Sequence, residues 1–155
     1  GTMSAALEGA IEGIPSIGFS LCNDSVNADF TAARKFAGII AATALKNSIP
    51  NGVCLNVNVP YLEEHWIKGI KVCRQANAYW REHYEERNDK EGKTYFWLTG
   101  KFENLDKGKD TDEWALKHNF VSIVPVHADV TAHASLNSFK KWKFPGLEKG
   151  IRVRV

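Results

Sequence analysis

The sequence predicts an α/β protein, the half of an open sheet with helices against it, continued by a β-rich arm and closed by a helix. Three observations predict it. The first sixty residues alternate between helical and strand periodicity in the order helix, strand, helix, strand, with short connections. After Pro60 the pattern becomes short extended runs, two of them aromatic-rich around a polar turn. Residues 131–142 then return to a helical spacing of apolar side chains.

In residues 2–11, Met3, Ala6, Leu7, Ala10 and Ile11 recur every three or four positions, which gives a helix one buried stripe. Gly13 stops it, and residues 14–21 alternate Ile17, Phe19 and Leu21 with smaller side chains, as a strand does. Residues 23–29 form a polar loop. Asp29 or Thr31 can then cap a helix reaching Ser48, with Phe36, Ile39, Ile40, Ala44 and Leu45 on its inner side. Pro50-Asn51-Gly52 reads as a turn into a strand over residues 53–59, where Val53, Leu55, Val57 and Val59 alternate with Cys54, Asn56 and Asn58 until Pro60 closes it. Two strands make a poor sheet, since sheets of ordinary size hold about five. Partner strands are therefore expected upstream or in another chain. Gly1 is not an initiator methionine, and the chain is expected to begin inside a longer protein.

Residues 67–72 read as a strand. Residues 78–86 and 94–101 read as the arms of a hairpin around Asn88-Asp89-Lys90-Glu91-Gly92. Tyr79, Trp80, Tyr84, Tyr95, Phe96 and Trp97 on these arms are more aromatics than a two-stranded ribbon can shield. The arm is expected to project and pack on a second subunit rather than fold back over its own core. A short helix at 113–118, a strand at 120–126, a helix at 131–142 with Ala132, Leu136, Phe139 and Trp142 inward, and an edge strand at 151–155 complete the reading. The chain divides into residues 1–60 (α/β core), 61–126 (β-rich extension with the arm and a returning strand) and 127–155 (closing helix and tail).

Composition excludes several function classes. Apolar residues make up 44% and charged residues 25%, and no apolar run is long enough for a bilayer, so neither disorder nor a membrane span is expected. Twenty basic against eighteen acidic residues leave a formal charge of only +2, no footprint for nucleic acid. Glu82, Glu85 and Glu86, interleaved with the arm's aromatics, argue against strand binding there. The cluster Lys140, Lys141, Lys143 reads as a solvated face. Cys22, Cys54 and Cys73 are too far apart for a zinc ribbon or redox pair and read as buried, reduced thiols, which favours the cytoplasm.

Few residues suggest chemistry. Gly1-Thr2 opens a helix, and a helix N-terminus is an anion site, although Thr2 as a plain N-cap is the simpler reading of two residues. His127, Asp129 and His133 carry ligand-type side chains, but Asp129 and His133 four apart, with Thr131 between them, read better as a structural clamp at a hinge than as a metal site. Asp110 and Asp112 suit helix capping better than paired acid and base work. Cys73 has no histidine nearby in sequence to activate it, and His65, His83 and His118 read as isolated. No residue in the chain reads as catalytic or as a metal ligand.

The segment Gly1-Thr2-Met3-Ser4-Ala5-Ala6-Leu7-Glu8-Gly9-Ala10 resembles the S-G-T-x-x-A-A-x-E-G stretch of the SurE nucleotidases. Gly13-Ile14-Pro15-Ser16-Ile17, Leu55-Asn56-Val57-Asn58-Val59-Pro60, Lys68-Gly69-Ile70-Lys71-Val72, Phe120-Val121-Ser122-Ile123-Val124-Pro125 and Asp129-Val130-Thr131-Ala132-His133 follow in that family's order, as far as about Trp142. The resemblance implies a Rossmann-like SurE fold, here its C-terminal part, with a protruding β-hairpin arm and a C-terminal helix. It implies a homodimer or homotetramer held by the arm and that helix, and hydrolysis of 5′- and 3′-nucleoside monophosphates with a divalent cation, Mg²⁺ or Mn²⁺. The family's cation ligands are expected upstream of Gly1. Gly1 and Thr2 carry over as the phosphate-facing helix end, without the serine that the family places before them. The chain alone is expected to be inactive. The other reading is a non-catalytic oligomerisation fragment.

Overall fold

The computed structural model describes residues 2–144. Gly1 and the tail, including the edge strand expected at 151–155, lie outside the described residues. The first helix, α1 (Thr2–Ile11), precedes strand β1 (Ser16–Cys22); a second helix, α2 (Thr31–Asn47), leads to β2 (Val53–Pro60). Strands β1 and β2 are parallel, from Ser16 opposite Cys54 to Cys22 opposite Pro60, so α2 is a βαβ crossover. Beyond them lie β3 (Gly69–Val72), the hairpin strands β4 (Ala78–Asn88) and β5 (Thr94–Asn104), the short helix α3 (Asp112–Lys117) and β6 (Phe120–His127). Strand β6 runs antiparallel beside β2 and takes β3 parallel on its other side, giving a four-stranded sheet in the order β1-β2-β6-β3. The α/β prediction holds, with helices on both faces.

Strand alternation decides which helix covers which face. Ile17, Phe19 and Leu21 of β1, Val57 and Val59 of β2 and Val121 of β6 meet Ala32, Phe36 and Ile40 of α2, and this is the main core. The opposite face carries Cys54 under Ala6 and Ala10 of α1, and Val124 under Ala115 of α3. Helix α1 lies close because Gly18 has no side chain: a Cβ there would come 2.7 Å from Met3 Sδ. The α2 stripe is narrower than expected, for Ile39 is exposed and Leu45 is 86% exposed. Leu45 sits nine residues after Phe36, about two and a half turns, and so lands on the far side of the helix.

The hairpin pairs two eleven-residue strands from Ala78 opposite Asn104 to Asn88 opposite Thr94. At about 3.3 Å per residue it projects roughly 35 Å. Its turn is held by Asp89, whose Oδ1 accepts from the amides of Glu91 (2.9 Å) and Lys93 (2.8 Å), with Gly92 at φ +82°. Trp80, Tyr84, Phe96 and Trp97 all stay exposed, so the arm does not fold back over its own core.

Two expectations are corrected. The closing helix shrinks to a 3₁₀ turn at His133–Ser135 and a single α turn, α4 (Leu136–Phe139), and Leu136, Phe139 and Trp142 are exposed rather than inward. Asn137 and Ser138 are weak helix formers, and a helix without a packed apolar face gains little from further turns. Of the three free cysteines, Cys54 and Cys73 are buried as expected, whereas Cys22, the last residue of β1, is exposed.

Candidate functional site

The C-terminal ends of the parallel strands β1 and β2 open onto a cleft of about 810 Å³, flanked by α3 and by the foot of the hairpin. Open α/β sheets bind ligands at this edge. One wall is set by the capping of α3. Thr111, 1% exposed, accepts from the Trp114 amide through Oγ1 (3.1 Å) and donates the same hydroxyl to the Gly108 carbonyl (3.2 Å). Asp112 Oδ1 accepts from the amides of Ala76 and Glu113, both at 2.8 Å. Burial, and then the Asp112 charge, push the Glu113 carboxyl above its ordinary value.

Arg74 ties the foot of the hairpin to this wall. Its guanidinium donates to Asp106 (2.6 and 3.0 Å) and to Asp110 (2.8 and 3.1 Å). Hydrogen bonds from Arg74 hold the Asp106 carboxyl far below the usual carboxylate range, helped by the Gly108 and Asn77 amides. Asp110 and Asp112, adjacent but one in sequence, therefore do separate structural work, and neither faces the other as a catalytic partner. No local pattern could have found Arg74, because its partners lie 32 and 36 residues away. His118 is not isolated as expected: its ring stacks on Trp114 with centroids 3.9 Å apart.

The start of α1 approaches the same edge. Gly9 lies over Ser16, and Met3 with the Thr2 carbonyl lies over Gly18, so α1 runs antiparallel to β1. Its N-terminal end points toward the C-terminal end of that strand. Gly18, Ser20 and Cys22 share the α1 face by alternation, which places the cleft and the helix start on one side of the sheet. Thr2 is exposed there; Gly1 lies outside the described residues.

Asp129, Thr131 and His133 come together away from the cleft, after β6. Asp129 Oδ1 accepts from the Thr131 amide (2.8 Å), and its Oδ2 lies 2.6 Å from His133 Nε2. The Thr131 side chain and amide, and then His133, hold the Asp129 carboxyl far below its usual range. A carboxyl depressed in the folded state stabilises it above the ordinary carboxylate value, and that contribution is lost as pH falls toward the folded value. In an NMR titration the Thr131 amide resonance should show its carboxylate step well below the pH at which a free Asp titrates. An Asp129→Asn chain should show no such acid step.

Among the described residues no three His, Cys, Asp or Glu side chains converge as a metal site would require, and no helix is long and apolar enough to cross a membrane.

The family model for Survival protein SurE matches residues 1–82. The 5′-nucleotidase SurE of Christiangramia forsetii is 58% identical over 142 residues, covering 92% of this chain and 55% of that protein. The protein of the same name in Flavobacterium johnsoniae is 54% identical, covering 94% and 56%. Among solved structures, the SurE protein from Aquifex aeolicus superposes with a TM-score of 0.72 at 37% identity, over 90% of this chain and 56% of that one. The chain thus spans about half the length of the curated relatives it matches. With its fold, the order of its segments and these matches in agreement, the chain belongs to the SurE family.

Proposed function

We propose that this chain is the C-terminal portion of a SurE-type 5′/3′-nucleotidase, which hydrolyses nucleoside monophosphates to nucleoside and phosphate. The observation that carries the reading is the placement of α1, whose N-terminal end lies over Gly18 and points toward the C-terminal edge of the parallel strands β1 and β2. The N–H groups at a helix start and the positive end of the helix dipole favour a phosphate at such a place. Gly1 and Thr2 would hold it. In hydrolysis a water oxygen bonds to phosphorus, the ester P–O bond breaks and the nucleoside leaves with a proton. Donors fixed at the helix end stabilise the oxygens on which charge accumulates.

A divalent cation, Mg²⁺ or Mn²⁺, belongs to this reading, but the described residues do not form its site. We place its ligands upstream of Gly1 and derive no step through it. Asp129, Thr131 and His133 serve as a hinge before α4. Assembly into a homodimer or homotetramer through the arm and the terminal helix follows from the exposed aromatics, and the cytoplasm suits three free cysteines.

The exposed arm also favours the second reading, a non-catalytic oligomerisation module. Phosphate release from AMP by the complete protein separates the two. Thr2→Val in that protein should lower kcat/KM roughly tenfold, the loss of one hydrogen bond to a charged group, without shifting the melting temperature. Unchanged kcat/KM would remove Thr2 from the site, and no turnover in the unmodified complete protein would favour the module.

A further inference from the structure

We infer that the cleft at the ends of β1 and β2 takes the base of the nucleotide, with the stacked rings of Trp114 and His118 as its platform; this rests on the nucleotidase reading. The two rings lie 3.9 Å apart and within 16° of parallel, and both line the cleft. Their geometry is set before any ligand arrives. His118 Nδ1 lies 2.7 Å from the Trp114 carbonyl, which can only accept, so Nδ1 carries the proton and the imidazole cannot turn freely. Trp114 is held in turn by the Thr111 cap on its amide, by Phe120, whose ring stacks at 6.5 Å, and by the Lys71 ammonium 5.6 Å from its ring centroid, so the stack offers a base the outer face of His118 with Trp114 as its backing. A preformed stack offers sequence-tolerant affinity for any base, because every base has a π-face.

The rest of the lining suits the edge of a base. Asn104 uses its Oδ1 on the Asp106 amide, which leaves its Nδ2 to donate. The carboxamide of Asn119 has no partner among the described residues and offers both a donor and an acceptor. Such groups match the mixed donor and acceptor edges of bases. The cleft is of ligand size, about 300–1,000 Å³ being usual. It opens on the same side of the sheet as the start of α1, the side on which the proposed phosphate site lies.

The test compares two esters in the complete protein, AMP and ribose 5-phosphate, which lacks the base. Trp114→Ala and His118→Ala should each raise KM for AMP about tenfold, the scale of one lost stacking contact, with kcat and the KM for ribose 5-phosphate nearly constant. Trp114→Tyr should restore most of the loss. Equal losses on both esters mark a structural role and overturn the inference, as does an unchanged KM for AMP, including one accompanied by a change in oligomeric mass, which would assign the cleft to another copy of the chain. No turnover of either ester by the unmodified complete protein defeats the nucleotidase reading instead. Calorimetry with adenosine then decides this one, which requires binding about tenfold weaker in His118→Ala and fails if the protein binds no adenosine.

Discussion

Given a nucleoside monophosphate and Mn²⁺, residues 1–155 alone should release phosphate at least roughly a hundredfold more slowly than the complete protein, the scale on which one missing stabiliser of transition-state charge is felt. The expectation follows from what the described residues bring together. Arg74 is occupied by two carboxylates, Asp112 by two backbone amides, and Asp129 by Thr131 and His133. Glu113 is the half-buried acid left in the cleft without a cation, and burial keeps its carboxyl disposed to hold its proton. Nothing in this set activates water for attack on phosphorus. On the proposed reading the helix end holds the phosphate and part of the charge it develops, but the attacking water is left without a group that activates it. A rate within a fewfold of the complete protein would show that the catalytic groups lie within this chain after all.

The second large effect concerns stability. Val57, in the middle of β2, has no exposed surface and sits in the main core with Phe36, Ile40 and Val121. It occupies a strand flanked on both sides, by β1 and by β6, so its surroundings are fixed from two directions and cannot close over a void. Val57→Ala should cost about 2–3 kcal/mol, the transfer of two methyl groups plus the cavity left behind. Urea unfolding should show the midpoint lowered at constant slope. Leu45→Ala, a larger truncation on the exposed side of α2, should change the midpoint little, and the contrast separates packing from helix propensity.

The alternation of Val53, Leu55, Val57 and Val59 was enough to locate β2, and the spacing of Met3, Ala6 and Ala10 enough to locate α1, because in both cases the periodic apolar residues pack against a regular surface. The hairpin was legible from its aromatics and from the turn at Asp89 to Gly92, although both strands run further than expected, to Asn88 and Asn104. Periodicity misled where burial does not follow it. Leu136, Phe139 and Trp142 have the spacing of an inner stripe, yet all three stay exposed among the described residues. The cleft was legible least of all. Trp114 and His118 of α3 and its C-cap, Asn104 and Cys22 come from three separate segments and meet only when β1, α3 and the foot of the hairpin are packed together. The Arg74 clasp is likewise a product of the fold.

The proposed phosphate site at the first turn of α1 is tested most directly by titrating the complete protein with inorganic phosphate and following backbone amide resonances. The amides of Thr2 and Met3 should move most and saturate together, with those of Trp114 and His118 nearly still until AMP replaces phosphate. Saturable shifts confined to another part of the chain, with Thr2 and Met3 unmoved, would contradict the placement of the anion at this helix.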